Sequence, residues 1–112
     1  MKVIIENSVN QSMNNIFYYN LRYSLKNAIE TDNTIRLYIN NLVNFPYAGR
    51  YILELKDKHF REIIYKRSKK SCYRIIYYIS EFNNTIYVLN VLNSKKDFKQ
   101  FLKLNDYFKN YF

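Results

Sequence analysis

The chain contains one proline and one glycine, and both fall in FPYAG, residues 45–49. Pro46 cannot continue a helix and Gly49 permits a turn, so this joint divides the chain into two parts of different character. Before the joint, apolar residues recur at helical spacing. After it, they alternate as strands do. With 112 residues, the sequence is long enough for one domain spanning 1–112 and too short for two.

Ahead of the joint, MKVIIE is β-branched and reads as a first strand. The residues after NSVNQS predict a helix from Met13 to Ile29. Phe17, Leu21, Leu25 and Ala28 form one face of it, widened by Ile16, Tyr19 and Tyr23. The group TDNT offers N-cap chemistry for a second helix carrying Ile35, Ile39 and Leu42 on one side. So short a connection implies an antiparallel helical hairpin.

Beyond the joint, three strands are predicted at Phe60–Lys66, Cys72–Ile79 and Thr85–Leu92, with RYILEL a weaker fourth. The connectors KRSKKS and SEFNN suit antiparallel meander pairing. Alternation puts Tyr73, Ile75, Tyr77 and Ile79 on one face, and Arg74, Ile76 and Tyr78 on the other. Both faces are therefore substantially apolar, and the hairpin is expected to cover one of them. SKKD then opens a last helix as a capping box from Ser94 to Asp97. That helix carries Phe98, Phe101, Leu102, Phe108 and Phe112, with Tyr107 and Tyr111 beside them, for packing on the sheet or for a partner. The class is α+β: an N-terminal strand and helical hairpin packed on a small twisted antiparallel sheet, closed by a C-terminal helix.

Charge points outward from the fold to a partner. Eighteen Lys and Arg oppose nine Asp and Glu, a net +9, which favours nucleic acid, an acidic protein or a membrane surface. Residues 49–74 hold nine basic and three acidic side chains, or +6, so two thirds of the excess sits there. A lone Cys72 excludes an internal disulfide and a cysteine-based zinc site. No apolar run approaches the ~18 residues of a membrane span, and the N-terminus lacks the long apolar core of a signal peptide. These features point to a cytoplasmic protein without metal or cofactor.

The matching residues along the chain are FPYAGR, ELKDKHFREI, CYRIIYYI, TIYVLNVL and NSKKDF. In that order, after a first strand and a helical hairpin, they resemble the RelE/ParE superfamily of toxins from type II toxin–antitoxin modules. The resemblance covers roughly residues 2–101. It implies a toxin held inactive by a cognate antitoxin, with one of two targets. RelE-like members cleave mRNA on the ribosome, and ParE-like members inhibit DNA gyrase. As a ribonuclease, the protein would use Arg61 and Arg74 on phosphate and Glu54 as a base. Target binding would draw on Lys56, Lys58, Arg61, Arg74, Lys95 and Lys96. Asn93 stands where cleaving members often carry His or Tyr, and neutral Asn cannot shuttle a proton. The FPYAGR joint and the NSKKDF ending are closer to the ParE branch.

Other readings of the same residues stay open. Arginines in half-buried strands also snorkel, or pair with a carboxylate such as Glu62 or Glu81. His59, the only histidine, is either a solvated turn residue or an acid/base group. Lys66, Arg67, Lys69 and Lys70 form a solvated hairpin tip that raises affinity for nucleic acid. A basic nucleic-acid-binding module without toxicity is the remaining alternative. If Arg74 belongs to the site, Arg74→Ala should relieve toxicity and leave the fold intact.

Overall fold

The computed structural model describes residues 1–69 and 71–93. The order is β1 (Lys2–Ile5), α1 (Asn7–Leu21), α2 (Leu25–Asn41), β2 (Arg50–Tyr51), β3 (Phe60–Lys66), β4 (Cys72–Ser80) and β5 (Thr85–Asn93). The strands form one sheet in the order β1-β5-β4-β3-β2. Four strands pair antiparallel as expected. The first lies at the edge opposite β2, parallel to β5, so the sheet is mixed.

The helices begin and end elsewhere than the apolar spacing predicted. A break at Arg22–Ser24 cuts through the single helix expected from Met13 to Ile29. Ser24 causes it. The residue is extended (φ −167°, ψ 129°), and its hydroxyl accepts the Asn27 N–H at 3.2 Å, an N-cap placed well before TDNT. The buried stripes are Val9, Met13, Ile16 and Asn20 on α1, and Ala28, Thr31, Ile35 and Ile39 on α2. Leu21 and Leu25, expected on the buried face, are exposed. NSVNQS is not a connector but the first turns of α1. Ser8 and Ser12, four residues apart, donate to the Leu89 carbonyl and to Asn90 Oδ1 at 2.5 and 2.6 Å, tying the helix to β5.

Two cores result. Val9, Met13, Ile16, Ile35 and Ile39 pack on Tyr73, Ile75, Tyr77, Ile79, Ile86, Val88 and Val91 on the hairpin side. On the other side Ile52, Phe60, Ile76, Leu89 and Leu92 form a smaller cluster. A bulge makes this division possible in β5. Ile76 pairs with Asn90 but Tyr77 pairs with Val88, so Leu89 is the extra residue and the alternation shifts by one beyond it. The predicted RYILEL strand shrinks to Arg50–Tyr51, after which Ile52 turns into the second core. The C-terminal helix and its capping box lie outside the described residues. Among the described residues, no helix is long and apolar enough to cross a membrane.

Gly49 serves a different purpose from the turn the sequence suggested. Its φ is not positive; Asn84, at φ 51°, is the described residue that takes the left-handed conformation, in the β4–β5 turn. What Gly49 provides is room. Its N–H donates to Tyr77 Oη at 2.8 Å, and that hydroxyl donates to the Pro46 carbonyl at 2.9 Å. A Cβ there would sit 2.5 Å from Tyr77 Oη and 2.8 Å from the Glu62 carbonyl oxygen. Gly49→Ala should therefore cost about 1–3 kcal/mol, as overpacking does. Urea unfolding measures it, and an unchanged midpoint would show that the joint tolerates a side chain.

Candidate functional site

Strand alternation settles the arrangement of the two arginines. On β3, Arg61 shares a face with Ile63 and Tyr65, which pack on the hairpin core, while Glu62 turns to the Phe60 side. On β4, Arg74 shares its face with Ile76 and Tyr78, opposite Tyr73, Ile75 and Tyr77. Arg61 and Arg74 consequently lie on opposite faces of the sheet. The structure does not bring them to one phosphate.

Arg74 is buried, with 8% of its surface exposed, and is held by two carboxylates. Its Nε donates to Glu62 Oε2 at 2.7 Å, and Nη2 lies 2.6 Å from the same oxygen. Nη1 and Nη2 each reach a Glu54 oxygen at 3.2 Å, a forked pair. The second oxygen of Glu62 accepts Arg50 Nε at 3.0 Å and lies 3.0 Å from Arg50 Nη2. Two guanidiniums and two carboxylates thus cancel one another. Register explains the cluster: Arg50 pairs with Glu62, and Arg74 faces Ile64, one diagonal step away. Burial works against the Arg74 guanidinium, but Glu54 and Glu62 more than offset it and push its deprotonation further up. Burial likewise opposes the Glu54 charge, yet hydrogen bonds from Arg74 prevail and hold the carboxyl below its ordinary range. Of the two carboxylates the sequence suggested for such pairing, Glu62 takes the role on Arg74. Glu81 instead accepts the Tyr47 hydroxyl at 2.9 Å.

Arg61 meets aromatic rings in place of a carboxylate. Its guanidinium carbon lies 4.5 Å from the centroid of Tyr51 and 5.2 Å from that of Tyr47. Nη1 donates to the Gly49 carbonyl at 2.8 Å, so Arg61 also fastens the joint. Tyr47, Tyr51, Lys58, His59, Arg61 and Glu81 border a cleft of about 180 Å³. His59 behaves as a turn residue: Nδ1 lies 2.7 Å from Asp57 Oδ1, its N–H donates to the same oxygen, and its ring stacks on Tyr78.

Lys56 and Lys58 are exposed on residues 52–59, the segment between β2 and β3. Glu54 comes from that segment too. Lys95, Lys96, Tyr107 and Tyr111 lie outside the described residues, as does Lys70 of the hairpin tip. Among the described residues, no group of three or more His, Cys, Asp or Glu could hold a metal. Three participants were not among the candidate site residues: Tyr47, Tyr51 and Arg50, the last noted only as part of the basic cluster and of FPYAGR. Their one signal was adjacency to the proline–glycine joint.

The buried network revises the expectation for Arg74→Ala. Removing that guanidinium breaks the buried pair with Glu62 and leaves Arg50 to hold the carboxylate from the sheet edge. A loss of about 3 kcal/mol is expected, at the low end for breaking a buried pair, so the fold itself is weakened. Acid provides a second test. The Glu54 carboxyl is lowered in the folded state, so its contribution is present above the unfolded value of about 4.3 and vanishes as pH falls through the folded value. Urea midpoints between pH 7 and 3 should decline in acid for the natural protein and decline less for Glu54→Gln.

Comparison with known proteins adds the lineage. A family model described as the ParE toxin of the type II toxin–antitoxin system parDE matches residues 3–98. Among solved structures, a chromosomal ParDE toxin–antitoxin system from P. aeruginosa superposes with a TM-score of 0.64 at 14% identity. The match covers 85% of this chain and 97% of that one, a likeness of fold. No curated protein matches the sequence.

Proposed function

The chain belongs to the ParE toxin family of type II toxin–antitoxin systems, and we propose that it arrests growth in the cytoplasm by inhibiting DNA gyrase until a cognate antitoxin neutralises it. The observation that carries the choice of target is the Arg50–Glu62–Arg74–Glu54 network. RNA cleavage would ask Glu54 to take up a proton and both arginines to hold one phosphate. Here the hydrogen bonds from Arg74 lower the proton affinity of Glu54 and so weaken it as a base, and the arginines occupy opposite faces of the sheet. An inhibitor that works by occupying its target needs a shaped, charged surface and no proton relay.

That surface is assigned to Lys56, Lys58 and Arg61, with Lys95 and Lys96 following β5 in sequence. The antitoxin is expected to be acidic, in keeping with the +9 charge. An apolar cleft of about 190 Å³ between the end of α2 and β3, lined by Tyr38, Leu42, Phe45 and Ile63, can seat one of its apolar side chains.

Controlled expression in cells tests the reading, with DNA supercoiling, protein synthesis and mRNA integrity followed separately. Loss of supercoiling while mRNA stays intact is the expected result; fragmented ribosome-bound mRNA would overturn it. Replacing Lys56 and Lys58 together by Ala should raise the dose needed for arrest by about tenfold, since two exposed charge contacts are worth up to roughly 1 kcal/mol each.

A further inference from the structure

Residues 52–59 form a strap across the second face of the sheet, and the strap is tied down at several points. Ile52 is buried, and Leu55 partly buried, against Phe60, Ile76, Leu89 and Leu92. Near its end, Asp57 accepts the His59 N–H at 2.9 Å, and the His59 ring stacks on Tyr78. Between these anchors the fork from Arg74 grips Glu54 at 3.2 Å. What the strap turns to solvent is Leu53, at 89% exposure, together with Lys56 and Lys58.

Arg74 is well suited to be the fixed end of that tie. It rises from a central strand, with β3 and β5 on either side. Its other partner, Glu62, is buried and held in turn by Arg50. Glu54 is the more exposed partner, with 43% of its side chain accessible, against 10% for Arg74. A buried guanidinium cannot present itself to a macromolecule, whereas it can decide where an exposed carboxylate, and the chain bearing it, comes to rest.

We infer that Arg74 is a positioning residue, acting on the toxin's target through Glu54 by pinning the strap that presents Leu53, Lys56 and Lys58. The inference rests on the proposed target surface. It assigns Arg74 no contact with the target.

The test compares Glu54→Ala, Arg74→Lys and the double variant in the full chain. Arg74→Lys keeps a cation for Glu62 but loses the fork. Hydrogen exchange reads the strap through the amides of Leu55, bonded to the Ile52 carbonyl, and His59, bonded to Asp57. It reads the fold through β4 and β5. Each single variant should speed exchange at Leu55 and His59 at least tenfold, with β4 and β5 still protected. The expression level needed for growth arrest should rise by a similar factor, and the double variant should be no worse than either single one. Natural exchange and toxicity in Glu54→Ala, with toxicity lost in Arg74→Lys, would overturn the inference, as would single effects that multiply in the double variant. If Arg74→Lys also unprotects β4 and β5, Glu54→Ala decides, because it leaves the Arg74–Glu62 pair in place. Should the natural protein fail to arrest growth, the toxin reading falls while exchange at the strap still accepts or rejects the pinning.

Discussion

Glu62 is a carboxylate with 1% of its side chain exposed, and the charged half of the molecule is organised around satisfying it. A buried ion is costly unless its partners are well placed. Arg50 supplies one from β2 and Arg74 another from β4, and Arg74 then recruits Glu54 from the strap. Three chain segments meet at this one charge, and Arg74 joins the strap to them as a fourth. Replacing the group with an apolar cluster could be as stable. What the ionic arrangement adds is direction, since a forked hydrogen bond fixes where the strap lies as well as that it lies on the sheet.

The two faces of the sheet thereby acquire separate tasks. On the hairpin side, Arg61 lies over the rings of Tyr47 and Tyr51 and fastens the Gly49 carbonyl, so the joint and the cation next to it are one unit. On the opposite side, positive charge is consumed internally and the exposed lysines ride on the strap, whose end brings Lys58 to the rim of the Arg61 cleft. A net +9 is therefore not spread over every basic group in the central strands. The inward guanidinium of Arg74 contributes to order, and the outward lysines are what a negatively charged target or antitoxin would meet first.

Much of this could be read from the sequence where periodicity is strong. Phe60–Lys66 is the strand predicted, and the next two extend by one residue each because their alternation is clear. The helix break was missed because Leu21 and Leu25 continue the apolar spacing across it; a hydroxyl at Ser24 outweighed that pattern. The bulge at Leu89 and the parallel pairing of β1 depend on contacts between distant segments, which local pattern does not record. For the site, the sequence identified Arg61 and Arg74 as unusual and named Glu62 as a possible partner. It could not say that the arginines face opposite ways, because that follows from the pairing register of β3 and β4. Lys95, Lys96 and the aromatic tail belong to the sequence reading alone.

We read this ParE-family protein as an inhibitor by occupancy, with its buried arginine ordering the surface and its exposed lysines forming it. The most direct measurement is supercoiling of relaxed plasmid by purified DNA gyrase in the presence of the purified toxin, with no ribosome or mRNA in the reaction. Inhibition by occupancy predicts that supercoiling falls as toxin is added and returns when an acidic cognate antitoxin is supplied. Full supercoiling at saturating toxin, from a preparation that cuts mRNA on added ribosomes, would contradict it.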